Sequence, residues 1–209
     1  MKLEDIEIVH ALHEWKVEAD YSSAVRLLEP FVRQLEQKED SLANRNKYYR
    51  PLSYLKEKLL LWEIKQQVDS VNVGDSVRPY LKKDLLGGVY CDDGRRTYYW
   101  EGNQLINTLI AYRIIKNDSS LWKLKENMQL YILRTKEHGW NTYQASSAVA
   151  TVLTDLLADS GGMSGTSVSV SGKDHQRITD FPYHTRLTAG DSLLFQKREK
   201  SLYCIVSIQ

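Results

Sequence analysis

Apolar residues recur at intervals of three and four through most of residues 1–160, and at intervals of two in short runs after them. The first spacing predicts helices. Ile8, Leu12, Trp15 and Ala19 make one stripe, and Ala24, Val25, Leu28, Phe31, Val32 and Leu35 make the next. Pro30 lies inside that second stripe; it has no amide hydrogen and its ring crowds the preceding turn, so a kink or a break is expected there. Pro51 suits the first turn of a long helix with Leu52, Leu55, Leu59 and Trp62 on one face. A short helix is expected over Ser76 to Leu85, started or interrupted by Pro79.

Further along, Leu121, Leu124, Met128 and Tyr131 form a stripe, and Ala145, Ala148, Val149, Val152, Leu153 and Leu156 form the most regular one. That last helix has a visible start in "GWNT", where the side-chain oxygen of Asn141 or Thr142 is placed to accept from an unpaired amide of the first turn. The run Leu105, Ile106, Leu109, Ile110, Tyr112, Ile114 and Ile115 is apolar almost all round, as in a helix sandwiched between neighbours.

Near Gly161 the composition changes to Ser, Gly and Thr around "TSVSVSG", "DSLLFQKR" and "KSLYCIVSIQ", runs rich in β-formers, with "KREK" placed as a turn. The boundary is expected at Asp159 to Gly165, giving a helical domain over residues 1–160 and a β-segment over 161–209. The fold class is therefore mainly α with a small β part (α+β): antiparallel helix pairs, then a short antiparallel β-segment of about three to five strands. So few strands rarely stand alone. They must pack on the helices, complete a larger sandwich, or pair with another chain through residues 166–209.

The 28 Lys plus Arg against 27 Asp plus Glu leave a formal charge of +1, which gives no electrostatic footprint for nucleic acid or an anionic membrane. No apolar run reaches the roughly 18 residues of a membrane span, and "MKLEDIEIVH" does not read as a signal peptide. Two cysteines, Cys91 and Cys204, are too few for a disulfide framework or a four-thiolate zinc site.

The densest chemistry is "GGVYCDDGRRTYYWEGNQ", residues 87–104. Asp93–Gly94 between aromatic and β-branched flanks predicts a hairpin turn, because Gly tolerates a positive φ. In that case Asp92 and Asp93 are turn residues. The alternative makes Asp92, Asp93 and Glu101 a general acid and base set, as on the rim of an α/α-barrel glycosidase. Cys91 has no Cys/His signature around it and is expected to be a structural thiol. His10 and His13 stand three apart with Glu14 as their one acidic neighbour, a pattern of a solvated helix face more than of a metal site. None of the common phosphate-loop, dinucleotide, zinc-protease or serine-hydrolase motifs occurs, and no cofactor is implied.

The order of Gly88 to Cys91, Tyr99 with Trp100, Gln104 to Ile115, Met128 to Lys136 and Trp140 to Leu157 resembles the later helices of the thioester-type α/α toroid domain of bacterial alpha-2-macroglobulin-like proteins, especially the Bacteroidetes form. The strands after Thr166 look like the β-segment that follows that toroid. Thioester-bearing members carry a Cys-Gly-Glu-Gln run; here Cys91 precedes "DDG" and Cys204 precedes "IVS", so no thioester can form. The resemblance implies a module of a protease-inhibitor (endopeptidase inhibitor) type of protein, periplasmic or cell-envelope, whose partner is a protein: a protease, or further domains of a larger macroglobulin-like chain.

Three roles follow. The first is a non-enzymatic macroglobulin-like module acting by protein contact, with Tyr99, Trp100 and Trp140 as candidate exposed anchors. The second is the carbohydrate-active enzyme using Asp92, Asp93 or Glu101. The third is a helical-repeat scaffold that binds peptides.

Overall fold

The computed structural model describes residues 1–97, 104–136 and 139–159, and the backbone of three strands within 168–197. The chain is mainly helical with small antiparallel sheets, an α+β arrangement. It divides into two compact units, Met1–Val152 and Leu153–Gln209.

In the first unit the helices are α1 (Glu4–Glu14), α2 (Tyr21–Arg45), α3 (Leu55–Asp69), the single turn α4 (Gly74–Val77), α5 (Gln104–Ile115), α6 (Trp122–Thr135) and α7 (Thr142–Ala148). A two-stranded hairpin, β1 (Leu81–Lys83) and β2 (Val89–Cys91), sits between α4 and α5 in sequence, with Leu81 opposite Cys91 and Lys83 opposite Val89. A π-helical turn, Val149–Leu153, follows α7 and leads into α8 (Thr154–Asp159) of the second unit. That unit also holds β3 (Val168–Ser171), β4 (Gln176–Ile178) and β5 (Leu194–Lys197), in the antiparallel order β4-β3-β5. "KREK" continues past β5 outside the described residues. No described helix is long and apolar enough to cross a membrane.

The core of the first unit is built on α3 and α5. From Leu105 to Ile115 every residue of α5 is buried except Arg113, so a helix apolar nearly all round is covered on all sides. It packs on α3 through Leu59, Ile64 and Leu109, while α1 and α2 cover α3 with Ile6 and Val32, and α6 and β2 cover α5 with Met128, Ile132 and Cys91. Asn141 caps α7: its side chain accepts from the amide of Gln144 at 2.8 Å, and the Gln144 side chain accepts from the Asn141 amide at 3.1 Å.

Several local expectations change. The face of α1 that turns inward carries Ile6 and His10; Ile8 and Trp15 point out, Trp15 with 77% of its surface exposed, and the helix stops at Glu14. Pro30 does not break α2. It lies at an exposed position, where the carbonyl four residues back can turn to water, and Val25, Leu28 and Val32 are buried on both sides of it.

Pro51 lies outside α3, because the chain there is extended against Arg96: the Pro51 carbonyl accepts from the Arg96 amide at 3.1 Å and the Ser53 amide donates to the Arg96 carbonyl at 2.8 Å. The expected helix over Ser76 to Leu85 ends at Tyr80 as a 3-10 turn. From there the pairing with β2 takes over the backbone groups, starting with the Asp92 amide on the Tyr80 carbonyl at 2.8 Å.

Candidate functional site

Within residues 84–97 the chain makes two separate turns, one on either side of β2. The hairpin turn is Asp84–Gly88, upstream of the expected one, because β2 takes its antiparallel partner from β1. Asp84 builds that turn. One of its carboxylate oxygens accepts from the amides of Leu86 at 2.9 Å and Gly88 at 2.8 Å, and the other pairs with Arg134 of α6. Tyr90 stacks on Tyr131 with ring centres 5.2 Å apart, fixing the hairpin to α6 a second time.

Asp92 to Gly94 make the second turn, a bend that carries the chain from β2 to the bridge between Arg96 and Leu52; Gly94 takes φ +74° there. Asp92 accepts from the Gly94 amide at 3.0 Å and pairs with Lys82 at 3.1 Å. Burial alone would raise its carboxyl, but these contacts outweigh that and hold it below the ordinary value. Asp93 accepts from the Ser53 hydroxyl at 2.8 Å and the Arg95 amide at 3.0 Å, which ties the bend to the start of α3. Both carboxylates are therefore engaged, by the turn's own amides and by Lys82 and Ser53 beside it.

Cys91 is fully buried, and its amide donates to the Thr108 hydroxyl at 2.9 Å. Burial first, then Asp92 and Asp93, push its thiol up to about 12. A thiol so placed is a packing group and no nucleophile at neutral pH. Trp140 is half-buried and donates its indole N–H to Thr135 at 3.0 Å, at the end of α6. Tyr99, Trp100 and Glu101 lie outside the described residues.

Sequence reasoning missed an ionic cluster in the core. Glu63 of α3 accepts from Arg113 Nε at 2.6 Å and Nη2 at 2.8 Å, one bond to each oxygen, and His10 Nε2 of α1 lies 2.9 Å from the second oxygen. Burial would raise the Glu63 carboxyl, but Arg113 and then His10 hold it at about 2, against an ordinary 4.5. Since Glu63 is ionised, the ring nitrogen facing it carries the hydrogen. The other nitrogen, Nδ1, faces Glu14 at 3.9 Å.

His10 is thus a buried bridge between α1 and α3, contrary to the solvated face expected of it. Its neighbour His13 packs edge-on against Tyr21, with ring centres 4.9 Å apart. Among the described residues no cluster of His, Cys, Asp or Glu is placed to hold a metal. A signal for this cluster was present in "LLLWEI" and "IAYRII". A single charge inside an otherwise buried apolar run has to find a partner.

Two surface features of the described residues bear on contact. The turn after Asp84 displays Leu85 fully exposed and Leu86 at 74% exposure. Elsewhere on the same unit, a groove of roughly 240 Å³ runs between α2 and α3, floored by Val32 and Leu61 and walled by Trp62. Two ion pairs join α2 to α3 there, Lys58 to Glu36 and Lys65 to Glu29, each at 3.1 Å, so the carboxylates at its rim are already neutralised. Lys58 also donates to the Tyr80 hydroxyl at 2.8 Å. Comparison of the chain with protein-family models, with curated proteins and with solved structures finds no match.

Proposed function

We propose that the chain is a macroglobulin-like module without thioester chemistry, its helix pairs part of an α/α toroid, and that it acts by protein contact rather than catalysis. The observation that carries this reading is the β1–β2 tip. Two adjacent leucines stand in solvent on a turn that Asp84 locks through two backbone amides and an ion pair to Arg134. Leaving them exposed forgoes about 1.5–3 kcal/mol of burial each, an amount a partner recovers on contact. A turn ordered in advance spends little further entropy on binding.

The engagement of Asp92 and Asp93 by their own turn, Lys82 and Ser53 also favours contact over carbohydrate chemistry, which would need those carboxylates turned toward a substrate. The partner class is the one the resemblance implies, a protease or a neighbouring domain. A photo-crosslinking residue at position 85 of the full chain tests the reading. It should give one discrete protein adduct that Leu86→Asp abolishes. The same pattern of adducts from position 27, an equally apolar exposed site on α2, would refute it.

A further inference from the structure

We infer that the corner where α2 hands over to α3 binds a single strand of nucleic acid, with Arg45, Lys47, Arg50 and Arg96 on its phosphates and Tyr48 against a base. This surface is separate from the Leu85–Leu86 tip and does not rest on it. Two stretches of chain build it. Residues 41–54, "SLANRNKYYRPLSY", hold three cations and no acid, and "GRRT", residues 94–97, adds two more arginines. The backbone bridge between Leu52 and Arg96 brings the stretches together. The formal charge of +1 conceals the cluster because the acids lie elsewhere, six of them against two lysines in residues 1–20 alone.

Local structure fixes where the charges stand. Arg45 ends α2, and the chain then turns through Asn46–Tyr49, closed by the Tyr49 amide on the Asn46 carbonyl at 2.9 Å. The Tyr48 amide donates to the Asn46 side chain at 3.0 Å, which holds Lys47 and Tyr48 at the crest of the turn. Arg50 stands two residues before the bridge. The hydrogen bond to Glu39 raises the Tyr49 phenol and Arg96 acts against it, so the Arg96 guanidinium lies beside the same turn.

The four cations are exposed, and none pairs with a carboxylate among the described residues. The negative end of α2 accounts for Arg45 alone. Of the acids nearby, Asp40 pairs with Arg95 at 2.9 Å. Glu39 is buried on the Tyr49 hydroxyl and the Leu52 amide, and Asp93 accepts from Ser53 and the Arg95 amide. The side toward solvent is left to the cations.

Tyr48 selects the ligand. Its ring is 82% exposed, with Lys47 Nζ 5.1 Å from the ring centre. A base stacks on such a ring, whereas an acidic peptide or a lipid headgroup engages only the charges. The cations follow an exposed turn and the bridge beside it, an arrangement that suits a strand laid along the surface.

Fluorescence anisotropy of the full chain with a labelled oligothymidylate of roughly twelve nucleotides tests this. Four phosphate contacts give a salt slope of about −3, so binding should weaken about 50-fold between roughly 50 and 200 mM salt. Tyr48→Ala should weaken it about 5- to 150-fold, and Tyr48→Phe, which keeps the ring, should not. Arg50→Gln and Arg96→Gln should each take about 0.7 off the slope. Arg26→Gln, at the other end of α2 and about 28 Å from Arg45 along the helix, should change nothing.

A chain that does not bind the strand at low salt overturns the inference, as does a Tyr48→Ala chain that binds like the native one or a loss in Arg26→Gln equal to that in Arg50→Gln. Inorganic polyphosphate or polyglutamate that competes as well as the strand overturns it too, because charge alone then suffices. So do anionic vesicles that bind more tightly than the strand. None of these outcomes touches the adduct expected at position 85, so the two readings fail separately.

Discussion

Arg113 grips both carboxylate oxygens of Glu63, at 2.6 and 2.8 Å, and so fastens α5 to α3 inside the core. The two residues are 50 apart in sequence. Breaking the pair by removing one member strands a buried charge, and Glu63→Leu or Arg113→Leu alone should cost about 3–5 kcal/mol. Replacing both, as in Glu63→Leu with Arg113→Leu, should cost less than the sum of the single changes by about 1–3 kcal/mol. Urea unfolding of the four proteins in the cycle measures this, and additive losses would mean that the two side chains do not act as a unit.

The same pair sets an acid dependence. The Glu63 carboxyl titrates at about 2 in the folded chain and near 4.5 when free, so the folded state binds the proton less readily than the unfolded one. Its stabilising contribution is complete above about 4.5 and is lost as the pH falls toward 2. Between those values the native chain should lose stability more steeply than Glu63→Gln. Equal slopes for the two proteins would place the Glu63 carboxyl at an ordinary value and contradict the cluster.

Cys91 should be silent to thiol reagents in the folded chain. Its thiol is buried and pushed up to about 12, so almost none is thiolate at pH 8. In a Cys204→Ser background, which leaves one cysteine, labelling by a disulfide reagent should follow global unfolding and speed up with urea. Rapid labelling in buffer alone would show an accessible, activated sulfur.

Gly87 and Gly88 are adjacent but should fail for different reasons. At Gly87 the backbone sits at φ +84° with nothing within 4 Å of an added Cβ, so Gly87→Ala should cost about 1–2 kcal/mol through backbone strain alone. At Gly88 an added Cβ would meet Asp84 Oδ2 at 2.8 Å and Tyr131 Cβ at 3.1 Å, and would crowd Arg134. Gly88→Ala should therefore push the hairpin off α6, at about 1–3 kcal/mol, and expose the Tyr90–Tyr131 stack. Thermal melts and tyrosine fluorescence separate the two. A Gly88→Ala chain as stable as the native one would disprove the close approach.

Local chemistry was legible where it was self-contained. The all-round apolarity of Leu105 to Ile115 implied a covered helix, Asn141 announced its cap, and the α+β composition followed from the change in pattern near Gly161. What depended on distant partners was not. Pro51 reads as a helix start until Arg96 pairs with its carbonyl, and Leu81 to Lys83 read as helix until β2 arrives beside them. Ile8 and Trp15 make a better apolar stripe than Ile6 and His10, yet His10 faces inward because Glu63 waits there, 53 residues on. At the candidate site the turn chemistry of Asp92 to Gly94 was visible in the sequence. The exposed leucines were not, since nothing local distinguishes an apolar pair that is displayed from one that is buried.

The contact role of the Leu85–Leu86 tip is tested most directly by crosslinking from position 85, compared between the native turn and Asp84→Ala, which frees the turn while keeping Leu86. A single adduct from the native turn that fades by at least about tenfold in Asp84→Ala is the predicted result. Equal yields from the two, or a yield no greater than from position 27, would contradict it.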